Sequence, residues 1–367
     1  MKFSRDKKII VLFLILFHLF LFAGLYYEGL EPVSKNKSLP AKLIEIEKGE
    51  SLYQIAQKLK KEGIIKNSLV FAIEAIRKGV YKEFKAGEYA LYPWQSLDEI
   101  FEILKKGKVY LHKVTIFEGA TLWEIAEILE KNNITSSKKF LSLATDEKYV
   151  KSLGLPGPSL EGYLYPETYF FAKDSSPELV IKKMTDKFWE VWRELEPLAI
   201  KSGLSLKEVI TLASIVEKEA FYEKEKPIIA AVYLNRLKKG MPLQADPTIN
   251  YALKRFRRLT YKDYYQVKSP YNTYLHNNLP PTPIGNPSKS SILAVLKPAK
   301  VKYLYFVANG DGSHIFSRTY QEHLAAISKI RNKENSLKET KANDSNSSGE
   351  VSFKNIEATF HIKEKYL

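Results

Sequence analysis

Hydrophobic positions are spaced in three different ways along this chain. From Ile9 to Tyr27 the sequence IIVLFLILFHLFLFAGLYY carries no formal charge. At 1.5 Å per residue such a helix spans about 28 Å, close to the thickness of a bilayer's hydrocarbon core. No small-x-small cleavage site follows Phe22, so the stretch reads as a retained anchor and not a cleaved signal peptide. The second spacing is a repeat: LIEIEKGESLYQIAQKLKKEGI (43–64) aligns without a gap on KVTIFEGATLWEIAEILEKNNI (113–134). Each copy predicts a short strand, a glycine turn (Gly49, Gly119), a capping box (Ser51 to Gln54, Thr121 to Glu124) and a helix with one apolar stripe. Tyr53 and Trp123 hold the same repeat position and read as core. The third spacing is apolar on more than one face: residues 206, 209, 210, 212, 213, 215 and 216 predict a helix enclosed by protein.

Around these lie further elements. Gly and Pro in GLPGPSLEGYLYPETY (154–169) open a new region, a helix runs from Ser176 to Leu195, and Ser205 with Glu208 caps the enclosed helix. KPIIAAVYLNRLKKG is a Pro-started helix closed by Gly240. Asp246, before Pro247, is placed to cap another helix, and SPYNTYLHNNLPPTPIGNP (269–287) is a rigid loop rich in Tyr and Asn. YLYFVANGDGSHIF predicts two strands about an Asn-Gly-Asp-Gly turn, followed by a closing helix to about Ile330. Beyond it the composition is polar and of low complexity.

Composition narrows the chemistry. With no Cys, disulfides, thiolate nucleophiles and zinc-finger spacings are excluded. Net charge +15 favours polyanionic partners. Lys2, Arg5, Lys7 and Lys8 before the span, against Glu28 and Glu31 after it, place the N-terminus in the cytoplasm and the rest outside, which argues against nucleic acid. The six His, at 18, 112, 276, 314, 323 and 361, show no metal-ligand spacing; His314 reads as a strand-end surface residue, and the run KRFRR (254–258) as a solvated face.

One carboxylate breaks the enclosed helix's pattern. Glu217 follows the apolar run, and its helix neighbours Ala213, Ser214, Ala220 and Phe221 are small or uncharged, leaving space for a ligand. Glu219, about 200° around the helix, is expected to face solvent or the helix end. Two readings of Glu217 follow. Either it is a sheltered acid with a raised pKa, poised to hold a proton near neutrality, or it is a buried carboxylate paired with a Lys or Arg of the following helix.

The motifs LASIVEKEA, LNRL..GM.LQ.DPT..YAL, SPYNTY with LPPTPI.NP, and YLYFVA...G.H.FS.TY.EH together resemble the endolytic murein transglycosylase (YceG-like) family, over most of residues 150–325. The glycine, hydroxyl cap, aromatic and Ile-Ala series of the two repeats resembles the opening half of a LysM module. The first resemblance implies an enzyme that cuts the MurNAc–GlcNAc β-1,4 bond inside nascent peptidoglycan strands without adding water, with Glu217 as the catalytic residue. It further implies that Ser214, Gln244, Asp246, Tyr271, Asn272, Thr273 and Tyr274 orient the sugar, and that Glu161 and Tyr165 form a wall. No metal and no cofactor is expected, the scattered His offering no ligand spacing. Expected partners are glycan strands, the cytoplasmic membrane, in which the chain is single-pass, and peptidoglycan synthases.

The resulting architecture is α+β, with a single N-terminal transmembrane helix, LysM-like strand–helix repeats and a mostly helical catalytic domain with a C-terminal β-hairpin. The expected boundaries are a cytoplasmic end (1–8), span (9–27), linker (28–40), first LysM-like repeat (41–108), partial second repeat (109–150), catalytic domain (151–330) and flexible tail (331–367). Two alternatives stay open: a two-carboxylate hydrolase pairing Glu217 with Asp246 or Glu161, and a tethered glycan-binding scaffold without catalysis.

Overall fold

The computed structural model describes residues 5–332, with side chains from residue 9 onward. Of the expected N-terminal end (1–8), residues 5–8 are described, as the start of a helix, and of the expected tail (331–367) only 331 and 332 are described. Helix α1 (Arg5–Leu30) continues three residues past the expected Tyr27, and its segment Ile9–Leu30 is long and apolar enough to cross a membrane. By internal contacts the chain then divides into two compact units. The first comprises the chain up to Val114 with 131–135 and 170–175; the second comprises 115–130, 136–169 and the chain from Ser176.

In the first unit β1 (Lys42–Ile46), α2 (Leu52–Lys61), α3 (Ser68–Arg77), β2 (Gly87–Leu91) and α4 (Leu97–Lys106) surround one core. Strands β1 and β2 pair antiparallel with Ile44 opposite Tyr89. Alternation along them turns Ile44, Ile46, Tyr89 and Leu91 inward onto Ile55, Ala56 and Leu59 of α2, Phe71 of α3, and Ile100 and Leu104 of α4. Each large side chain buried this way contributes about 1.5–3 kcal/mol. Helix α2 begins where expected, Ser51 and Gln54 exchanging both bonds of the capping box.

Strand β3 (Leu111–Thr115) pairs with β4 (Thr168–Ala172) in a second small sheet. The second unit holds α5 (Leu122–Lys131), α6 (Ser137–Ala144), α7 (Glu147–Ser152), α8 (Pro177–Ser202), α9 (Leu206–Glu219), α10 (Lys226–Lys238), α11 (Asp246–Ala252), α12 (Tyr261–Gln266) and α13 (Lys289–Leu296). Strands β5 (Tyr305–Ala308) and β6 (His314–Ser317) pair antiparallel, Ala308 opposite His314, and residues 320–332 are helical. Helix α9 is buried without a break from Val209 to Glu217, covered by α10, α11 and α13. Its all-round apolarity is explained by that enclosure.

Several expectations are corrected here. Helix α8 runs seven residues beyond Leu195, through Pro197, to a left-handed Gly203 cap; the proline sits on the helix but does not end it. The N-cap of α11 is Ala245, so Asp246 is the first helical residue and caps nothing. Tyr53 is 68% exposed, and Trp123 is half-buried against Tyr251 with ring centroids 4.9 Å apart, so neither is a core residue. Glu219 does not face solvent alone: it accepts a 3.0 Å bond from the buried hydroxyl of Tyr233. His314 is not a surface residue, since its ring and backbone N–H both meet Glu225, at 2.7 and 3.1 Å. Within the basic run, Arg257 makes a two-pronged pair with Asp263.

Candidate functional site

Glu217 occupies the end of the buried stretch of α9, and only 8% of it is exposed. Its position is fixed from two sides. Ser288, the N-cap of α13, donates both its backbone N–H (2.8 Å) and its hydroxyl to Oε2. A carboxylate against the start of a helix also meets the positive end of the peptide dipoles. On the other side Lys226, the first residue of α10, places Nζ 3.1 Å from Oε1. The cation-paired reading of Glu217 is therefore the arrangement present, with Lys226 on one oxygen and Ser288 on the other.

Lys226 is itself only 2% exposed, and its ammonium is shared. It reaches Glu223 at 2.5 Å, Ser290 at 2.8 Å and Ser288 at 3.2 Å as well as Glu217. Burial works against the charge, but Glu217 and Glu223 outweigh it and hold the lysine above its ordinary pKa. The glutamate and lysine thus form a desolvated pair in which the lysine has a second carboxylate within reach.

The turn before α5 completes the surroundings. Gly119, with φ +76°, donates to the carbonyl of Asn286 at 2.7 Å, and Asn286 N–H returns a 2.9 Å bond to Ala120. A Cβ at Gly119 would lie 3.3 Å from Cγ of Glu217, and one at Gly285 would lie 2.4 Å from the Gly119 carbonyl. Two backbones meet here too closely for side chains. Glu118 on the same turn is exposed, and its carboxyl is pushed up, first by desolvation and then by the charge of Glu217. Tyr165 is half-buried, with its hydroxyl against the backbone of Lys289.

A second buried carboxyl lies behind this group. Glu161, 1% exposed, accepts from the Leu122 N–H at 3.2 Å on both oxygens and from the Tyr251 hydroxyl at 2.9 Å. Asn286 bridges it to the turn, donating to the Ala120 carbonyl at 2.7 Å and to Glu161 at 3.4 Å. Burial pushes the Glu161 carboxyl up to about 8 despite those donors. Glu161 is thus a buried carboxyl with no cation among these hydrogen-bond donors, unlike Glu217 with its lysine. Beside it a row of half-buried rings runs from Trp123 to Tyr251 to Tyr271, each step 4.9 Å between centroids. Lys218 lies among Glu124, Glu161 and Glu217, and burial lowers its pKa against their attraction.

The remaining expected residues fall into two groups. Asp246 accepts from the hydroxyls of Tyr274 (2.7 Å) and Tyr264 (3.4 Å), a polar cluster on half-buried rings. Gln244, in a left-handed conformation at φ +54°, receives Arg236 on its side-chain oxygen at 3.0 Å. Ser214, Asn272 and Thr273 are at most 1% exposed and bond within the protein. Ser214 joins the Thr211 carbonyl to Ile284 N–H; Asn272 braces the backbone at 264, 267 and 274; Thr273 receives Ala245 N–H. They build the loop rather than line a surface. Sequence reasoning allowed for a Lys or Arg of the following helix without singling out Lys226, and it missed Glu118, Ser288, Ser290 and Asn286. The signal for Ser288 was available, since a serine after Asn-Pro and before an apolar run is an N-cap.

Comparison with known proteins gives this arrangement its relatives. The YceG-like family model matches residues 44–329. A Bacillus subtilis (strain 168) protein named endolytic murein transglycosylase is 37% identical over 327 residues, covering 83% of this chain and 89% of the relative. A protein of the same name from Streptococcus pneumoniae D39 is 30% identical over 362 residues, and there the match spans 87% of this chain but only 64% of the relative. A crystal structure of a YceG-like protein from Listeria monocytogenes, 35% identical, superposes with a TM-score of 0.55 over 80% of this chain and 99% of that one. On a family match reaching across most of its length, the chain belongs to the YceG-like family.

Proposed function

We propose that this chain is a membrane-anchored endolytic peptidoglycan transglycosylase with Glu217 as its catalytic acid and base. The supporting observation is the Glu217 carboxylate itself: buried, held on Oε2 by Ser288, and paired on Oε1 with a lysine that is shared with Glu223. In this reading Lys226 keeps its contact with Glu223 and releases Glu217 when a strand binds, and Glu217 takes up a proton from solvent. Glu217 then delivers that proton to the glycosidic oxygen as the bond from C1 of MurNAc breaks. As carboxylate it removes the proton of the C6 hydroxyl of the same sugar, whose oxygen closes onto C1. No water is consumed, and the ring is 1,6-anhydro. One acid suffices because the nucleophile belongs to the substrate and has the high effective concentration of an intramolecular group.

Asp246, occupied by two tyrosines, and Glu161, occupied by Leu122 and Tyr251, are poorly disposed to activate a water, which weighs against the hydrolase. Tyr165 and the Trp123–Tyr251–Tyr271 row are the sugar-contacting surface in this reading. The strand–helix–helix–strand order of 42–91, with β1 on β2, supports the LysM-like reading of the first repeat. The charges flanking α1 support a cytoplasmic N-terminus and an extracytoplasmic bulk. A polymerase extruding strands at the same membrane is the partner class that fits. Mass spectrometry of products from uncrosslinked strands tests the reaction: ends lighter by one water than reducing ends are expected, and ordinary reducing ends would overturn it.

A further inference from the structure

Helix α3 is built inside out. Its one acidic residue, Glu74, is 4% exposed, whereas Leu69 and Ile76 are 61% and 58% exposed, and Ala72 and Ile73 between them are half-buried. Positions 69, 72, 73 and 76 follow the i, i+3, i+4, i+7 spacing of a single helix face. That face carries no polar side chain. Scattered exposed apolar residues need no explanation, but a whole helical face does.

The buried faces say where α3 lies. Glu74 is turned toward α1: it accepts from the hydroxyl of Tyr26 and from Arg77 at 2.9 and 2.7 Å. Gly29 of α1 packs so closely that a Cβ there would lie 2.7 Å from Cγ2 of Val70 and 3.2 Å from Cβ of Asn67. Tyr26 and Leu30 join the same core. Because the apolar segment of α1 ends at Leu30, α3 sits at the level of its last turns, where a spanning helix leaves the hydrocarbon. Lys66 precedes the apolar face, and Arg77 and Lys78 follow it, paired with Glu74 and Asp98, so cations flank the face at both ends as in a helix lying in an anionic interface.

We propose that the Leu69–Ala72–Ile73–Ile76 face of α3 rests on the bilayer surface, so that the first unit is held flat against the membrane from which α1 emerges. This rests on reading α1 as a bilayer anchor. The chain has no Cys, so a single introduced one is a unique labelling site. Full-length Leu69→Cys, Ile76→Cys, Leu16→Cys and Lys60→Cys proteins are spin-labelled and reconstituted into phosphatidylethanolamine–phosphatidylglycerol vesicles. Thermal melts matching the parent protein establish that each label is tolerated. Labels at 69 and 76 are expected to collide more with oxygen than with a water-soluble nickel chelate, as at 16, with the reverse at 60. Nickel access at 69 and 76 equal to that at 60, with 16 in lipid, places the face in water and overturns the inference alone. Loss of both collisions there puts a protein partner or second copy on the face and overturns it too. Nickel access at 16 removes the anchor and this inference with it.

Discussion

The two copies of the repeat obey the same local rules and end in opposite surroundings. Both turn on a left-handed glycine, φ +90° at Gly49 and +76° at Gly119, and both close a capping box at the start of a helix. Gly49 has nothing near the place a Cβ would occupy, and Tyr53 four residues on is exposed. Gly119 lies against Glu217, and Trp123 packs on Tyr251 with their ring planes tilted. Even the first helical N–H differs in use, since Leu122 N–H is bound by the buried Glu161. One supersecondary unit thus serves once as free scaffold and once as a wall of the candidate site. The distinction lies in what packs on the turn, not in the turn.

The largest way to probe this contrast is pH. Glu161 ionises near 4.5 in the unfolded chain and near 8 when buried. Below 4.5 both states are protonated and the group costs nothing. Between 4.5 and 8 the unfolded state gives up its proton first, so stability falls as pH rises, by up to about 5 kcal/mol before levelling off. Glu161→Gln is expected to flatten the Tm-against-pH curve in that window, and an unchanged slope would mean the second copy is not tied to a buried acid.

Next in size is Lys226→Met, which leaves Glu217 buried without its cation. A loss of about 3–5 kcal/mol in chemical denaturation is expected, most of it recovered when Glu217→Gln is added. Equal losses in the single and double variants would refute the pairing. The smallest effect separates the copies directly. Gly49→Ala and Gly119→Ala both force a side chain into a left-handed conformation, costing about 1 kcal/mol each. Only Gly119→Ala also crowds Cγ of Glu217, so strand-cleavage rate should drop for it and stay at the parental value for Gly49→Ala.

Local grammar made much of this readable in advance. The span, both repeat turns, and the Ser51–Gln54 and Ser205–Glu208 boxes are short-range hydrogen-bond or hydropathy patterns that survive folding unchanged. Helix α9 was recognisable as enclosed because its apolar residues circle it. What was hidden is long-range. That Lys226 faces Glu217, or that Glu118 stands beside it, depends on packing between elements and leaves no periodic trace. The polar loop misled for a different reason: Asn272 and Thr273 resemble ligand-binding residues, but a buried loop must satisfy its own backbone first.

The central claim is that the Glu217 carboxyl performs both proton transfers, and replacing it with the isosteric amide tests that most directly. Glu217→Gln, shown by its melting curve to be folded, should bind uncrosslinked glycan strands yet release no anhydro-ended fragments. Cleavage at the wild-type rate by the folded variant would contradict the account.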